Sequence, residues 1–261
     1  MSAIQCTLYH HPYSVCSIMV RYTLALCSPA KDNIPALEAE EKVVDIFNQE
    51  QLSQDFLKIN PYGQVPVLMS SLQSPICDSL EITHFIANYS KNLIPENYKT
   101  QITDLLTELH GLNYFSLSFP GRQRMAVTLS TPIEKRLQDP NITEEYRKAL
   151  EFKLGVVKRN KVDGLRPEVT SEMERRTRDL MKKIEPLLSA AQDLAKNDWL
   201  FNLQQPTALD AHLVVFIQRM RDVGREALIP ETLRRYAEKA TKTPEWAQVM
   251  GDRKSTMVPK N

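Results

Sequence analysis

The stretch from Gln51 to Leu68, QLSQDFLKINPYGQVPVL, constrains the fold of this chain most, because it places an X-Pro bond between two short apolar runs. Proline lacks the N–H that a sheet ladder needs, so residues 67–69 are expected to form an edge-side strand after a turn. Asn60 and Gly63 are turn residues that support this prediction. The Val65-Pro66 bond can adopt the cis form at a cost of about 0.5–1 kcal/mol, which a tight turn tolerates.

Length and composition exclude several classes of protein. The 261 residues suit one large or two modest domains with a real core. A net charge of +1 argues against nucleic acid as the main partner. The four scattered cysteines show neither metal spacing nor a disulfide framework, so we expect no metal, reduced thiols and a cytoplasmic location. No apolar run approaches the roughly 20 residues of a membrane span, and the N-terminus lacks signal-peptide features, so no membrane partner is expected.

Residues 1–89 carry the alternating signals of a small α/β domain. We expect strands at 5–10, 42–47, 67–69 and 75–77, helices at 14–26 and 52–59, a loop at 28–34, and a third helix capped by Asp78 or Ser79. This order of elements is typical of a thioredoxin-like layer.

Beyond a predicted linker at 90–97, strand signals nearly vanish, and residues 98–261 are predicted to form an all-α domain. Helices are expected at 102–115, 144–159, 173–191 with a kink at Pro186, and 209–220, and Thr243 is expected to cap a last helix that starts with Pro244. The long basic segment 120–169 suggests either an enlarged lid or pocket wall, or simply a solvated face.

The turn around Pro66 resembles the N-P-x-x-x-V-P-x-L turn of the cytosolic glutathione transferases. The resemblance implies a thioredoxin-like domain followed by a helical domain. It also implies that the backbone of Val65, next to Pro66 and Gln64, pairs with the cysteinyl part of glutathione like one added strand.

Ser14 opens the first predicted helix, where a hydroxyl can donate to an anion beside free backbone N–H groups. On position alone, simple capping of the helix explains this serine better. However, SVCSIMVRYTLAL is similar to the active-site motif of the zeta, or maleylacetoacetate isomerase-like, branch of the family, which favours Ser14 as the residue that activates glutathione. The second serine of that motif is replaced by Val15, so Ser17 or Tyr13 can share the role. The same similarity implies that Gln51 holds the glycine carboxylate.

Asp78 and Ser79 resemble the acid-Ser pair that binds the γ-glutamyl part of glutathione in this family, and helix capping is the alternative for one of them. Thr207-Ala208-Leu209-Asp210 matches a capping box before the most apolar helix and has a structural role in either interpretation. Cys16 is interpreted as a buried structural thiol rather than a redox nucleophile, because no C-x-x-C pair is present.

The residues that contact the second substrate are harder to predict. In the family, the helix after the linker lines the pocket for the electrophile. The candidates on this basis are Tyr114, Phe115, Phe119, Arg122 and Arg124, although aromatic residues at helical spacing more often belong to a core.

The resemblance therefore implies a homodimeric glutathione-dependent enzyme that uses glutathione as cosubstrate or cofactor. The thiolate would add to a small electrophilic molecule, and either conjugation or cis-trans isomerisation of a double bond could follow. A non-catalytic binding module with the same fold is a further alternative. The chain also resembles fungal transferases of secondary metabolism in its general character.

Overall fold

The computed structural model describes residues 3–27, 35–188 and 199–258. The predicted loop at 28–34 and the end of the helix predicted to reach residue 191 lie outside these residues. The first half contains a four-stranded sheet in the order β2-β1-β3-β4. Its strands are β1 (Ile4–His10), β2 (Leu37–Val43), β3 (Val67–Ser70) and β4 (Gln73–Ile76).

The sheet is mixed, because β1 runs parallel to β2 but antiparallel to β3, and β3 runs antiparallel to β4. Three helices belong to this half: α1 (Val15–Ala25), α2 (Gln54–Ile59) and α3 (Ser79–Ala87). Leu8 on β1 and Leu68 on β3 face each other and are both buried, which fixes the register of the central pair. The predicted thioredoxin-like architecture is confirmed.

Two predictions about the strands are wrong. The second strand is not at 42–47 but at Leu37–Val43, where an edge strand tolerates many charged residues. Asp45 ends the extended run, because its Oδ1 accepts hydrogen bonds from the N–H groups of Phe47 and Asn48, both at 3.0 Å. The strand β3 is central rather than edge-side, because Pro66 precedes it and removes no donor from its ladder.

The second half is helical, as predicted. Its helices are α4 (Lys99–His110), α5 (Tyr114–Ser118), α6 (Gln123–Thr128), α7 (Thr131–Leu137), α8 (Glu144–Val157), α9 (Pro167–Ile184), α10 (Ala208–Asp222), α11 (Glu231–Ala240) and α12 (Pro244–Met250). The single helix predicted at 102–115 is divided between α4 and α5. The division arises because α4 ends at Gly111 and the Asn113 side chain caps a new helix by accepting from the N–H groups of Phe115 and Ser116.

Helix α10 lies at the centre of the core, and its start is joined to the linker. The capping box of Thr207 and Asp210 is present as predicted. The N–H of Ala208 donates to the carbonyl of Leu93 at 2.8 Å, and Asn92 Nδ2 donates to the carbonyls of Leu26 and Pro206. The segment 90–97 is therefore packed between the two halves.

Helices α7 and α8, within the long basic segment, pack against the first half. A separate apolar cluster joins Leu52 and Leu57 to Ile133, Leu150 and Val157. In addition, Tyr146 Oη donates to the carbonyl of Leu52 at 2.6 Å. The segment is therefore a wall built onto α2 and the turn before it, rather than a face that contacts only solvent.

Candidate active site

Ser14 lies at the N-terminus of α1, beside Val65, whose peptide bond to Pro66 is cis. Its Oγ donates to the carbonyl of Val65 and accepts from the N–H of Ser17, and both distances are long at 3.4 Å. The N–H of Val65 has no hydrogen-bond partner in the described part of the chain. The site thus contains the Ser14 hydroxyl, whose hydrogen bonds are long, and the Val65 backbone N–H, which is free to pair with an extended peptide.

Ser17, the second candidate for activation, is placed differently. Its side chain is fully buried and its Oγ accepts from the N–H of His11 at 3.2 Å. This contact holds the turn at residues 11–13 against α1. The assignment of Ser17 to catalysis stays a prediction, and the contact with the His11 N–H gives this residue a structural role.

Two arginines from the end of the chain hold the turn that precedes Ser14. Arg219 on α10 donates to the carbonyl of Tyr13 at 2.8 Å and to Thr256, which is itself bound to Asp222. Arg253 donates to the carbonyl of Pro12. The turn is therefore fixed by residues more than 200 positions away, which makes Arg219 and Arg253 positioning residues for Ser14.

At the start of α3, Asp78 and Ser79 have different tasks. Asp78 caps the helix, with its Oδ1 accepting from the N–H groups of Leu80 and Glu81 at 2.8 and 3.0 Å. Its side chain is exposed, and its second oxygen remains open to a ligand's ammonium group. The buried Ser79 hydroxyl lies near the thiol of Cys16, whose pKa is raised mainly by burial and only partly lowered by this hydroxyl. Cys16 therefore stays a neutral thiol, as expected for a structural role.

The Ser79 turn rests on a chain of neutral histidines. Thr83 Oγ1 donates to the Ser79 carbonyl at 2.8 Å, so it must accept from His212 Nε2, also at 2.8 Å. His212 Nδ1 then accepts from His110 Nε2 at 2.7 Å. Burial lowers the pKa of His110 to about 4 and that of His212 well below its usual value, which keeps both rings uncharged. The chain joins α3 to α4 and α10.

The loop before Pro66 is also held by α8. Lys153 Nζ donates to the carbonyls of Tyr62 and Gly63, at 2.6 and 2.9 Å. Asn60 Nδ2 donates to the carbonyl of Gln64 at 2.8 Å, which places Gln64 in the same loop. Gln51 lies beside it, and its side-chain Oε1 is buried with no hydrogen-bond partner among the described residues. The structure thus brings the predicted residues 51, 64, 65 and 66 into one region.

The predicted pocket residues of the second half divide into two groups. Tyr114 lies near Cys16 and Asp78, but its hydroxyl donates to the Leu109 carbonyl at 3.0 Å, and burial raises its pKa. The rings of Phe115 and Phe119 contact each other in a tilted arrangement, with centroids 4.9 Å apart. Arg122 and Arg124 are exposed.

Lys161 was missed by sequence reasoning. It lies in a π-helical turn, Lys158–Val162, with Nζ 4.2 Å from the centroid of the Phe115 ring. It acts electrostatically on Cys16, and burial lowers its pKa to about 8. No sequence pattern marks Lys161, whereas Lys153 leaves a signal, because it falls within the buried stripe Leu150, Lys153 and Val157 of α8.

Replacing Gly63 with alanine is expected to destabilise the loop before Pro66. Gly63 has φ of +53°, and an added Cβ would lie 3.0 Å from the Gln51 carbonyl oxygen and 3.1 Å from Lys153 Cε. Gly121 provides the matched control, because its φ is +72° and nothing lies within 4 Å of the added Cβ. The left-handed backbone alone should cost about 1–2 kcal/mol in each variant. Thermal unfolding should show a larger loss for Gly63→Ala, and equal losses would show that the close contacts do not matter.

Solved structures with the same overall fold include the maleylacetoacetate isomerase of Methylobacterium extorquens AM1 with bound malonate and glutathione. It is 18% identical, with a TM-score of 0.56, over 97% of this chain and 100% of that one. The β-etherase LigF of Sphingobium sp. strain SYK-6 is 18% identical, with a TM-score of 0.64, over 94% and 98%. A glutathione transferase homologue from Sulfitobacter with bound glutathione is 15% identical, with a TM-score of 0.59, over 94% and 97%. The chain therefore has the two-part fold of the glutathione transferases.

Sequence comparison gives the family of the first half. Residues 13–88 match the model for the glutathione S-transferase N-terminal domain. Glutathione S-transferase 1 of Dianthus caryophyllus is 37% identical over 90 residues, which is 34% of this chain and 35% of that protein. The match thus spans about a third of the relative's length. The family match therefore applies to residues 13–88, and the likeness of the rest of the chain to these proteins is one of fold.

Two further features of the described residues concern membranes and metal ions. None of their helices combines the length and apolar character that crossing a membrane requires. Within the same residues, no group of three or more histidine, cysteine or acidic side chains is arranged to hold a metal ion.

Proposed function

We propose that this chain is a glutathione-dependent enzyme that adds the thiolate of glutathione to an electrophilic carbon of a small organic substrate. The observation that carries the proposal is the Ser14 hydroxyl at the start of α1, 3.4 Å from the carbonyl of the residue that precedes cis Pro66. Its two contacts are long, so its proton is available to a better acceptor. The domain match and the fold support the same proposal.

The chain's own groups supply the binding contacts. The Val65 backbone offers one N–H and one carbonyl to an extended peptide. Asp78 and Ser79 provide a carboxylate oxygen and a hydroxyl for the γ-glutamyl end. At the start of α1, the Ser14 hydroxyl and free N–H groups favour negative charge on sulfur.

The expected effect on the thiol is sufficient for activity near neutral pH. A hydrogen bond to a charged acceptor contributes about 1.5–3 kcal/mol, which corresponds to roughly one to two pKa units. A thiol with an ordinary pKa of about 8.5 would then ionise near physiological pH. The proton leaves for solvent, and the sulfur becomes the nucleophile. As the S–C bond forms at an activated alkene, the π bond breaks, its electron pair moves to the activating group, and a proton from solvent completes the conjugate.

Isomerisation is the second candidate reaction, favoured by the zeta-like positions Ser14, Cys16, Val20 and Arg21 at the start of α1. In that case the adduct rotates about the former double bond and then releases glutathione. A homodimer, a cytoplasmic location and a role in secondary metabolism belong to the same proposal. The four free cysteines support a reducing compartment.

The experiment combines binding and product analysis. We expect calorimetry at millimolar glutathione to detect binding, and incubation with an activated cis-alkene to give one of two products. A product heavier by one glutathione indicates conjugation, whereas an unchanged mass with trans geometry indicates isomerisation. Binding without either product across a panel of electrophiles would contradict the enzyme and favour a binding module. Absence of binding would overturn the whole proposal.

A further inference from the structure

Lys153 is a buried ammonium group with no counter-ion among the residues that the structure describes. Its side chain is 7% exposed, and its two hydrogen bonds go to neutral carbonyls of Tyr62 and Gly63. An ammonium group has three N–H donors, so one remains without an acceptor. In the described part of the chain no carboxylate lies within ion-pair distance of it. A buried charge of this kind is normally paired, because desolvation disfavours the charged form.

The register of the sheet shows which end of a bound tripeptide would lie near this lysine. The strands β3 and β4 are antiparallel, and Ile76 pairs with Leu68. The residues that follow Ile76, including Asp78, therefore lie on the side of Val65 towards Pro66. If the γ-glutamyl end lies at Asp78 and Ser79, the peptide runs antiparallel to the loop. The residue that follows its cysteine then lies opposite Gln64 and approaches Gly63. This is the position of the two carbonyls that Lys153 binds.

Gln51 marks the same place from the other side. Its backbone carbonyl lies 3.0 Å from the position of a Cβ on Gly63, and Lys153 Cε lies 3.1 Å from that position. The unpartnered Oε1 of Gln51 is a buried acceptor suited to an amide N–H such as that of the glycine residue. Gln51 and Lys153 therefore both lie at Gly63, where a peptide terminus with an N–H and a carboxylate would end.

We propose that Lys153, supplied by helix α8 of the long basic segment, pairs with the free C-terminal carboxylate of glutathione and makes the site selective for it. The inference rests on the proposed function and adds a binding residue from the second half of the chain. It also explains why α8 is built onto the loop before Pro66. Ligands whose terminus is neutral would leave the ammonium group unpaired.

The protonation of Lys153 provides a second consequence. Burial, followed by the nearby Lys161 ammonium, lowers the pKa of Lys153 to about 7. The other polar groups in contact with it, from the loop and the turn at Gln51, carry no charge. A bound carboxylate raises the pKa of a neighbouring ammonium group. Binding above pH 7 should therefore take up a proton from the buffer.

The test uses S-methylglutathione, which has no thiol proton, and its C-terminal glycinamide analogue. Calorimetry at pH 7.5 in two buffers of different ionisation enthalpy measures affinity and proton uptake. For the wild type we expect at least about 10-fold tighter binding of the free acid, with proton uptake for the acid only. Lys153→Met should reduce the preference to near one and remove the uptake. Lys148→Met, an exposed lysine on the same helix paired with Glu144 at 3.6 Å, is the matched control and should behave like the wild type.

The wild-type measurements decide the matter even if Lys153→Met folds poorly. Equal affinity for acid and amide would overturn the role of Lys153 while leaving the glutathione site intact. A preference that persists in folded Lys153→Met would do the same. If neither ligand binds to the wild type, the proposed function itself fails.

Discussion

Replacing Asp210 with alanine is expected to lower the free energy of unfolding by about 3 kcal/mol or more, because it leaves several buried donors without an acceptor. Asp210 is fully buried. One carboxylate oxygen accepts from the N–H and hydroxyl of Thr207, at 2.7 and 2.5 Å. The other accepts from the Leu200 N–H at 3.0 Å and from the hydroxyl of Tyr236.

The unfolding temperature reports this loss directly. For a chain of this size about 1 kcal/mol corresponds to roughly 2–4 °C, so the expected decrease is about 6–12 °C or larger. Asp139→Ala is the control, because Asp139 is exposed and its side chain accepts, among the described residues, from the neighbouring Asn141 only. Similar decreases in the two variants would contradict the central role of the buried carboxylate.

The effect of Asp210→Ala should extend to the candidate active site, because two residues of α10 hold the turn before Ser14 and the start of α3. Arg219 binds the carbonyl of Tyr13, next to Ser14, and His212 belongs to the chain that supports Ser79. A helix that loses its N-terminal anchor positions both less precisely. The capping box, a stability element in the sequence, thus connects the core to the site.

The parts of the fold that were predictable depend on local signals. The first strand and helix, the turn before Pro66, the cap at Asp78 and the box at Thr207 each lie within a few adjacent residues, where backbone and side-chain preferences act directly. The strand at Leu37–Val43 was misplaced because its charged residues satisfy an edge position rather than an alternating apolar pattern. The position of this strand is determined by its pairing with β1 and not by its own composition.

The site shows a similar division. Ser14, Val65 and Ser79 could be named because each belongs to a short motif, and the structure places the first two in contact and Ser79 near Cys16. Lys153 and Lys161 reach the site from a segment whose packing depends on the apolar cluster at Leu52 and Leu57. No short-range pattern determines how such a segment folds back over a distant loop. The position of Lys153 in the apolar stripe of α8 indicates that this side chain is buried. It does not show which groups the ammonium contacts.

Replacing Ser14 with alanine is expected to lower kcat/KM by about 10–100-fold while glutathione still binds. The variant removes the hydroxyl that would donate to the thiolate, a contact of about 1.5–3 kcal/mol. The Val65 backbone, Asp78 and Ser79 remain, so most of the tripeptide's contacts are unaffected. The pH profile separates this effect from a general loss of structure: the apparent pKa of kcat/KM should rise by roughly one to two units, and activity should recover at high pH.

The control must account for the fact that Ser14 also caps α1. Thr243→Ala is matched, because Thr243 caps α12 and accepts from the Trp246 N–H at 3.4 Å, the same distance as the Ser17 N–H to Ser14 Oγ. Loss of a cap alone costs about 0.5–2 kcal/mol of stability and should leave the pH profile in place. If Ser14→Ala retains full turnover with an unshifted profile, the activating group is not this hydroxyl. Tyr13 and Ser17 are then the residues to replace, and because the Ser17 hydroxyl is buried against the His11 N–H, Tyr13 would be the first of the two.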